Sequence, residues 1–371
     1  MTIINLNRGW KFHLGDEENS FETRHRDEEW QNVTIPHDWS VAYPKSREFS
    51  SGTGYVIGGT AWYRKAFALE ETDAGHPFFL CFDGVYKNSQ VWVNGYYLGR
   101  RPNGYISFRY DVTDYLYFDG RDNIIAVKVT HEDIADSRWF TGSGIHRKVT
   151  LVRYDFVYPS EYGVFFKTDR ADENSADYTC ECELYPSKFA DVTDVTVTAE
   201  LLDGNGQTVS ETSADASLSK TGMTAVSLSG TLKNPALWSP ASPSLYTLRV
   251  TAKDPVGNCT VIAEEHVGIR TFRFDPDHGF FLNGQPTIFK GVCMHHDGGA
   301  LGAAMTRGVW KRRLEKLKAM GCNAIRMSHN PHMPELYDLC DEMGFLVWAE
   351  IPVISRFNKK AQDNAMSQLE E

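Results

Sequence analysis

The chain has 371 residues, 42% of them apolar, 23% charged and 13% aromatic, with a formal net charge of −11. Such a length suggests two or three domains, and no apolar run approaches the roughly 20 residues of a membrane span. The acidic balance and the lack of any Lys/Arg run argue against a nucleic-acid partner, whose binding rests on phosphate neutralisation.

The segment Met1–Trp10 has no basic stretch followed by an apolar one, so no secretion signal is expected, and a cytoplasmic location is. The seven cysteines are odd in number and scattered, without CxxC pairs. Cys180 and Cys182, two apart, fall on one face of any strand that carries them. Reduced core thiols of a cytosolic protein are the expected state.

Residues 1–156 read as strands. In Ile124–Val129 the side chains of Ile125, Val127 and Val129 share a face, and the run Val91–Leu98 centres on Asn94-Gly95, whose residues tolerate the positive φ of a two-residue hairpin turn. Turn signals recur without a helical period, which predicts a β-sandwich. Over 157–274 aromatics thin out while Ser, Thr and Asp rise. Val195–Leu201 and Tyr246–Val250 alternate as strands with one wet face. An immunoglobulin-like sandwich without a Cys…Trp…Cys framework is predicted.

From 275 to 371 the period changes. Ile288–Cys293 reads as a short buried strand, and Val309, Trp310, Leu314, Leu317 and Met320 follow helical spacing up to Gly321. Ala324–Met327 reads as a second strand. Pro334 opens a helix with Leu336, Leu339, Cys340 and Met343 on its apolar face, closed by Gly344. Phe345–Ala349 is a third strand and 361–371 the start of a third helix. This β-α-β-α-β-α order implies a parallel sheet, and three strands do not close a barrel.

Reactive groups of a parallel α/β architecture belong at the C-terminal ends of strands. Three polar clusters sit there: His295, His296 and Asp297 after the first strand, Arg326, His329 and Asn330 after the second, and Glu350 after the third. Metal ligation by His295, His296 and Asp297 is disfavoured, because adjacent side chains of an extended segment point apart. Hydrogen bonding to sugar hydroxyls suits these residue types better. Arg326 is suited to hold a neighbouring carboxylate ionised, or else to form a structural ion pair. Further back, Pro36-His37-Asp38-Trp39, Trp62-Tyr63-Arg64-Lys65 and Ser137-Arg138-Trp139-Phe140 mix aromatic and polar groups. They could stack on sugars or simply be core.

Taken in order, these segments resemble glycoside hydrolase family 2. Ile35–Trp39, Gly58–Lys65, Phe82–Gly95 and Ser137–Ile145 are similar to its jelly-roll, sugar-binding-type sandwich. Phe281–Gly284, Lys290–Asp297 and Arg326–Pro331 are similar to the opening of its (β/α)8 TIM barrel. The run His295–Gly302 looks like the β-galactosidase branch, rather than the β-glucuronidase or β-mannosidase ones. The resemblance implies a homo-oligomeric parent enzyme acting on β-galactosides by a retaining mechanism. In it one Glu protonates the leaving oxygen and another, about 5–5.5 Å away, attacks the anomeric carbon. It places both beyond Glu371, so the chain alone is expected to be inactive. His295 and His329 would bond sugar hydroxyls, Arg326 would orient the nucleophile, and Glu350 would stand behind them. In the family's magnesium-dependent members a Glu and a His follow the third strand; their places here look like Ile354 and Arg356, neither of which binds the ion, so no cofactor is expected and a magnesium requirement is doubtful. The alternatives are a carbohydrate-binding or oligomer-contact piece without activity, or a sibling specificity such as that of a β-glucuronidase or β-mannosidase.

Overall fold

The computed structural model describes residues 1–132, 137–352 and 359–370. Its first unit is a sandwich of two antiparallel sheets. One has four strands, in the order Thr2–Asn5, Val149–Arg153, Phe78–Phe82, Phe108–Asp111. The other has six, in the order Gln31–Val33, Trp10–Leu14, Gly59–Ala68, Asp122–His131, Ser89–Val93, Tyr96–Arg101. Between them Trp10, Trp39, Phe78 and Phe82 pack with the expected row Ile125, Val127 and Val129. The Asn94-Gly95 turn joins Ser89–Val93 to Tyr96–Arg101 with φ of 50° and 83°, the doubly positive geometry that this dipeptide favours.

The second unit sets a three-stranded sheet (Val157–Ala171, Ser175–Pro186, Thr224–Lys233) against a four-stranded one (Thr208–Ser217, Asp194–Leu202, Tyr246–Lys253, Cys259–Val267). Inward residues such as Val197, Leu201, Leu248 and Val250 alternate with wet ones, as the sequence pattern requires. Cys180 and Cys182 share the buried face, their sulfurs 3.9 Å apart, and all seven cysteines are free thiols. Cys259 and Cys293, however, are exposed, so the core-thiol expectation holds for only part of the set.

A small antiparallel sheet (Phe272–Asp275, Gly279–Leu282, Gln285–Pro286) leads into three parallel strands, Gly291–Met294, Ala324–Met327 and Leu346–Trp348. Helices Arg307–Ala319 and Pro334–Met343 connect them, and Lys359–Glu370 follows. Trp310, Leu314, Leu336, Leu339 and Cys340 bury against Ile325 and Met327. Gly344 ends the second helix at φ 74°, where a Cβ would meet the Pro240 carbonyl oxygen at 2.5 Å. Two expectations are corrected. The first strand is Gly291–Met294 and not Ile288–Cys293, with Ile288 76% exposed. Met320 caps its helix in solvent and leaves the apolar face to Trp310 and Leu314. The cause of the first is the register: pairing with the second strand begins at Gly291 opposite Ala324, which leaves Ile288 ahead of the sheet. Here helices cover one face, and the other is an open trough of about 960 Å³ lined by Phe272, Phe274, Phe289, Val347 and Trp348.

The first sandwich and the parallel unit meet over a buried polar junction. His146 of the sandwich lies against His296 (ring centroids 5.7 Å apart), and His296 against His332 (6.2 Å). Burial drives all three imidazoles toward the neutral form, aided in each by the Arg147 charge; His146 falls to about 3 and His332 to about 4.

Two expected outcomes follow from this architecture. A large exposed apolar face promotes association, so light scattering should show concentration-dependent self-association that a Phe274→Ser/Trp348→Ser double variant reduces; a monodisperse monomer at high concentration would count against it. The second concerns pH. The unfolded His332 takes up a proton near 6.5 and the folded one only near 4, so its contribution to stability is lost as pH falls across that window. Between pH 7 and 5 this amounts to about 2 kcal/mol. His332→Asn should therefore lose less stability over that interval than the parent, measured by urea unfolding at both pH values. Equal losses would show that His332 is already charged in the fold.

Candidate active-site rim

The strand register builds the rim. Arg326 is the one exposed residue of Ala324–Met327 and lies opposite Cys293 on one neighbour and Trp348 on the other. Side chains repeat every two residues along a strand, so Glu350, two beyond Trp348, returns to the face that Arg326 occupies. Arg326 Nε donates to Glu350 Oε1 at 2.5 Å, and its Nη1 lies 3.7 Å from Cys293 Sγ. His329, in the loop after the same strand, places Nδ1 2.7 Å from Glu350 Oε2. A carboxylate at Nδ1 fixes a proton there and orients the ring, which leaves Nε2 for a hydroxyl.

The electrostatics separate orienting from acidic roles. Desolvation pulls the Glu350 carboxyl upward, but the bonds from His329 and Arg326 outweigh it and the net shift is downward. Glu350 is thus ionised at neutral pH, the opposite of what a general acid needs. The Arg326 guanidinium is raised by its bond to Glu350, and the Cys293 thiol is lowered by its bonds with Ser328 and Arg326.

The first sandwich reaches into this rim through Trp139. Its ring stacks near His295 (centroids 6.4 Å apart) and lies 5.4 Å from His329, while its Nε1 donates to Tyr105 Oη at 2.9 Å. His295 and His329 are edge-to-face at 5.9 Å. The structure therefore brings His295, Arg326, His329 and Glu350 together. His296 and Asn330 instead lie in the buried junction: His296 Nε2 pairs with the Phe140 carbonyl at 3.0 Å, and both side-chain polar atoms of Asn330 lack a partner among the described residues. They support the rim from behind. Asp297 is half-buried.

The aromatic segments of the sandwich are core, not sugar platforms: Trp39, Trp62, Tyr63 and Trp139 are all buried. Asp38, in one of those segments, joins the two units through a bond from the Ala303 amide at 2.8 Å. His332 was not among the expected site residues either; its signal is only an apolar-flanked His near a proline. Among the described residues, no group of three or more His, Cys, Asp or Glu side chains is placed to hold a metal ion. Ile354 and Arg356, on which the magnesium expectation turns, lie outside the described residues. No described helix is long and apolar enough to cross a membrane.

Comparison with known proteins converges on one family. Residues 3–155 match the description "Glycosyl hydrolases family 2, sugar binding domain", residues 162–270 "Glycosyl hydrolases family 2", and residues 276–369 its TIM barrel domain. Beta-galactosidase BoGH2A of Bacteroides ovatus is 43% identical over 97% of the chain, which spans 42% of that relative's length. A beta-glucuronidase of Formosa agariphila is 28% identical over 93% of the chain, which covers 37% of it. Among solved structures, a beta-glycosidase from Bacteroides vulgatus superposes with a TM-score of 0.88 at 39% identity, covering 95% of this chain and 44% of its own. A Bacteroides uniformis beta-glucuronidase gives 0.88 at 28% identity, covering 98% and 44%. With three matches in order along the chain and the same architecture in solved relatives, the chain belongs to glycosyl hydrolase family 2.

Proposed function

We propose that this chain is the sugar-orienting part of a retaining exo-β-galactosidase. The observation that carries the reading is the Arg326–Glu350–His329 constellation, fixed at the C-terminal ends of parallel strands where such enzymes work. His295 and His329 bond the hydroxyls of the terminal sugar. Arg326, held in place by Glu350, presents its remaining donors to the nucleophilic carboxylate. The acid/base and the nucleophile belong to the part of the barrel that this chain does not span. Water expulsion from the finished barrel strengthens these contacts, because charges interact more strongly in a dry site. A cytoplasmic, homo-oligomeric enzyme that needs no magnesium completes the reading. Galactose configuration is supported by the 43% identity to a protein named beta-galactosidase.

A β-glucuronidase is the second reading. Relatives of that name match almost the whole chain, and Arg138, exposed next to Trp139, is a cation of the kind that a uronic-acid carboxylate requires.

The test compares 4-nitrophenyl β-galactoside and β-glucuronide. The chain alone should turn over neither. A family-length enzyme should prefer the galactoside, and Arg326→Ala in it should lower kcat/KM about 10²-fold or more through misorientation of the reacting carboxylate. Turnover by the chain alone would overturn the assignment of the catalytic pair. A glucuronide preference that Arg138→Ala abolishes would replace the first reading with the second.

A further inference from the structure

Arg147 of the first sandwich is 3% exposed, yet its hydrogen bonds among the described residues go to backbone carbonyls alone. Two acceptors lie in its own unit, Asp83 (3.4 Å) and Tyr105. The other two lie across the junction: Nη2 donates to the Pro331 carbonyl at 2.8 Å and Nη1 to that of His332 at 3.2 Å. Burial lowers its pKa to about 10, so it is still a cation at neutral pH. Burying an ion costs several kcal/mol unless its donors are satisfied. Space has been kept for it as well: a Cβ on Gly84 would meet Arg147 Cδ at 2.8 Å. The carbonyls it holds are two and three residues beyond His329, in the loop between the second parallel strand and the second helix.

We propose that Arg147 is a positioning residue for the rim: by clamping the Pro331 and His332 carbonyls it sets the place of His329, and hence of the His329–Glu350–Arg326 constellation. The planar guanidinium suits this task because it presents several donors in a fixed fork, which a lysine ammonium does not. The sandwich then shapes the sugar site without touching sugar. The inference concerns the site described above, but its test needs no substrate, so it stands or falls apart from the β-galactosidase reading.

The experiment uses this chain. In the parent, NMR should show the His329 Nδ1 proton bonded to Glu350, and the Ser328 amide, which donates to the Met294 carbonyl at 3.0 Å, should be protected from hydrogen exchange. Arg147→Met should abolish that imidazole resonance and speed exchange of the Ser328 amide at least tenfold. Exchange in the strands Asp194–Leu202 and Tyr246–Lys253 of the second sandwich should stay the same. In Arg147→Ala, millimolar guanidinium should restore the resonance. Arg147→Lys, which keeps the charge and most of the volume, should show the same local loss in a smaller degree, and it decides the matter if the other variants do not fold. An unchanged His329 resonance in any folded variant would overturn the proposal. So would exchange that rises equally in all three units, because that pattern marks a residue that only stabilises the fold.

Discussion

The Asp38 carboxylate is the point on which the arrangement of units depends. Although 4% exposed, it accepts from Ser40 N (3.0 Å), Ser40 Oγ (2.6 Å) and Ser143 N (2.9 Å) in the sandwich and from Ala303 N (2.8 Å) in the parallel unit. Desolvation raises its pKa, and these four donors oppose that shift without cancelling it. The packing around it admits no side chain. A Cβ on Gly142 would lie 2.6 Å from Asp38 Oδ2, and one on Gly302 2.2 Å, and both glycines have positive φ. The Ala303 and Gly302 contacts fix the distance between a sandwich loop and the turn Gly298–Gly302. The preceding residues, His295 and His296, have their path set by that turn.

From this fixed point the sandwich works as a wedge. Trp139, anchored by Tyr105, fills the space behind His295 and His329, so the rim rests on an apolar ring that cannot compete for its hydrogen bonds. Lys148 adds a second tie across the boundary, to Glu335 at 3.1 Å and Asp83 at 3.3 Å. Its pKa is raised because the two carboxylates together outweigh desolvation. The sandwich residues with aromatic and polar character thus serve the site by shape and tension. That sorts them differently from a carbohydrate platform, which would need exposed ring faces.

What was legible in the sequence follows the range of the physics involved. Local rules identified the Asn94-Gly95 hairpin, the Ile125–Val127–Val129 face and the helix that runs from Pro334 to Gly344, because each is decided within a dozen residues. Ile288–Cys293 misled because an apolar run does not reveal whether a neighbour covers it. The small sheet Phe272–Pro286 was not read as strands; only its segment Phe281–Gly284 stood out, as a motif of the family's barrel. For the site, the strand-end rule found Arg326, His329 and Glu350 without showing that they touch, since their contact depends on the register that pairs Arg326 with Trp348. Arg147 escaped altogether: the carbonyls it holds are 184 and 185 residues away in sequence, and no local pattern encodes such a contact.

The stretch 326–332 separates two electrostatic environments. Arg326 and His329 project to a charged rim, where a carboxylate and a guanidinium keep each other ionised beside solvent. Asn330 and His332 project to a dry junction, where the only described full charge in direct contact is Arg147 and the surrounding imidazoles are neutral. The two settings need each other. The buried guanidinium spends its donors on loop carbonyls, since the nearby carboxylates of Asp83 and Glu335 are held by Lys148, and a loop held by its backbone leaves the His329 side chain to pair with Glu350. A proton added to His146, His296 or His332 would set a like charge against Arg147 in a low-dielectric space, where repulsion is strongest. The integrity of the rim is therefore tied to the neutrality of the junction behind it, although no group of the rim itself need change its charge.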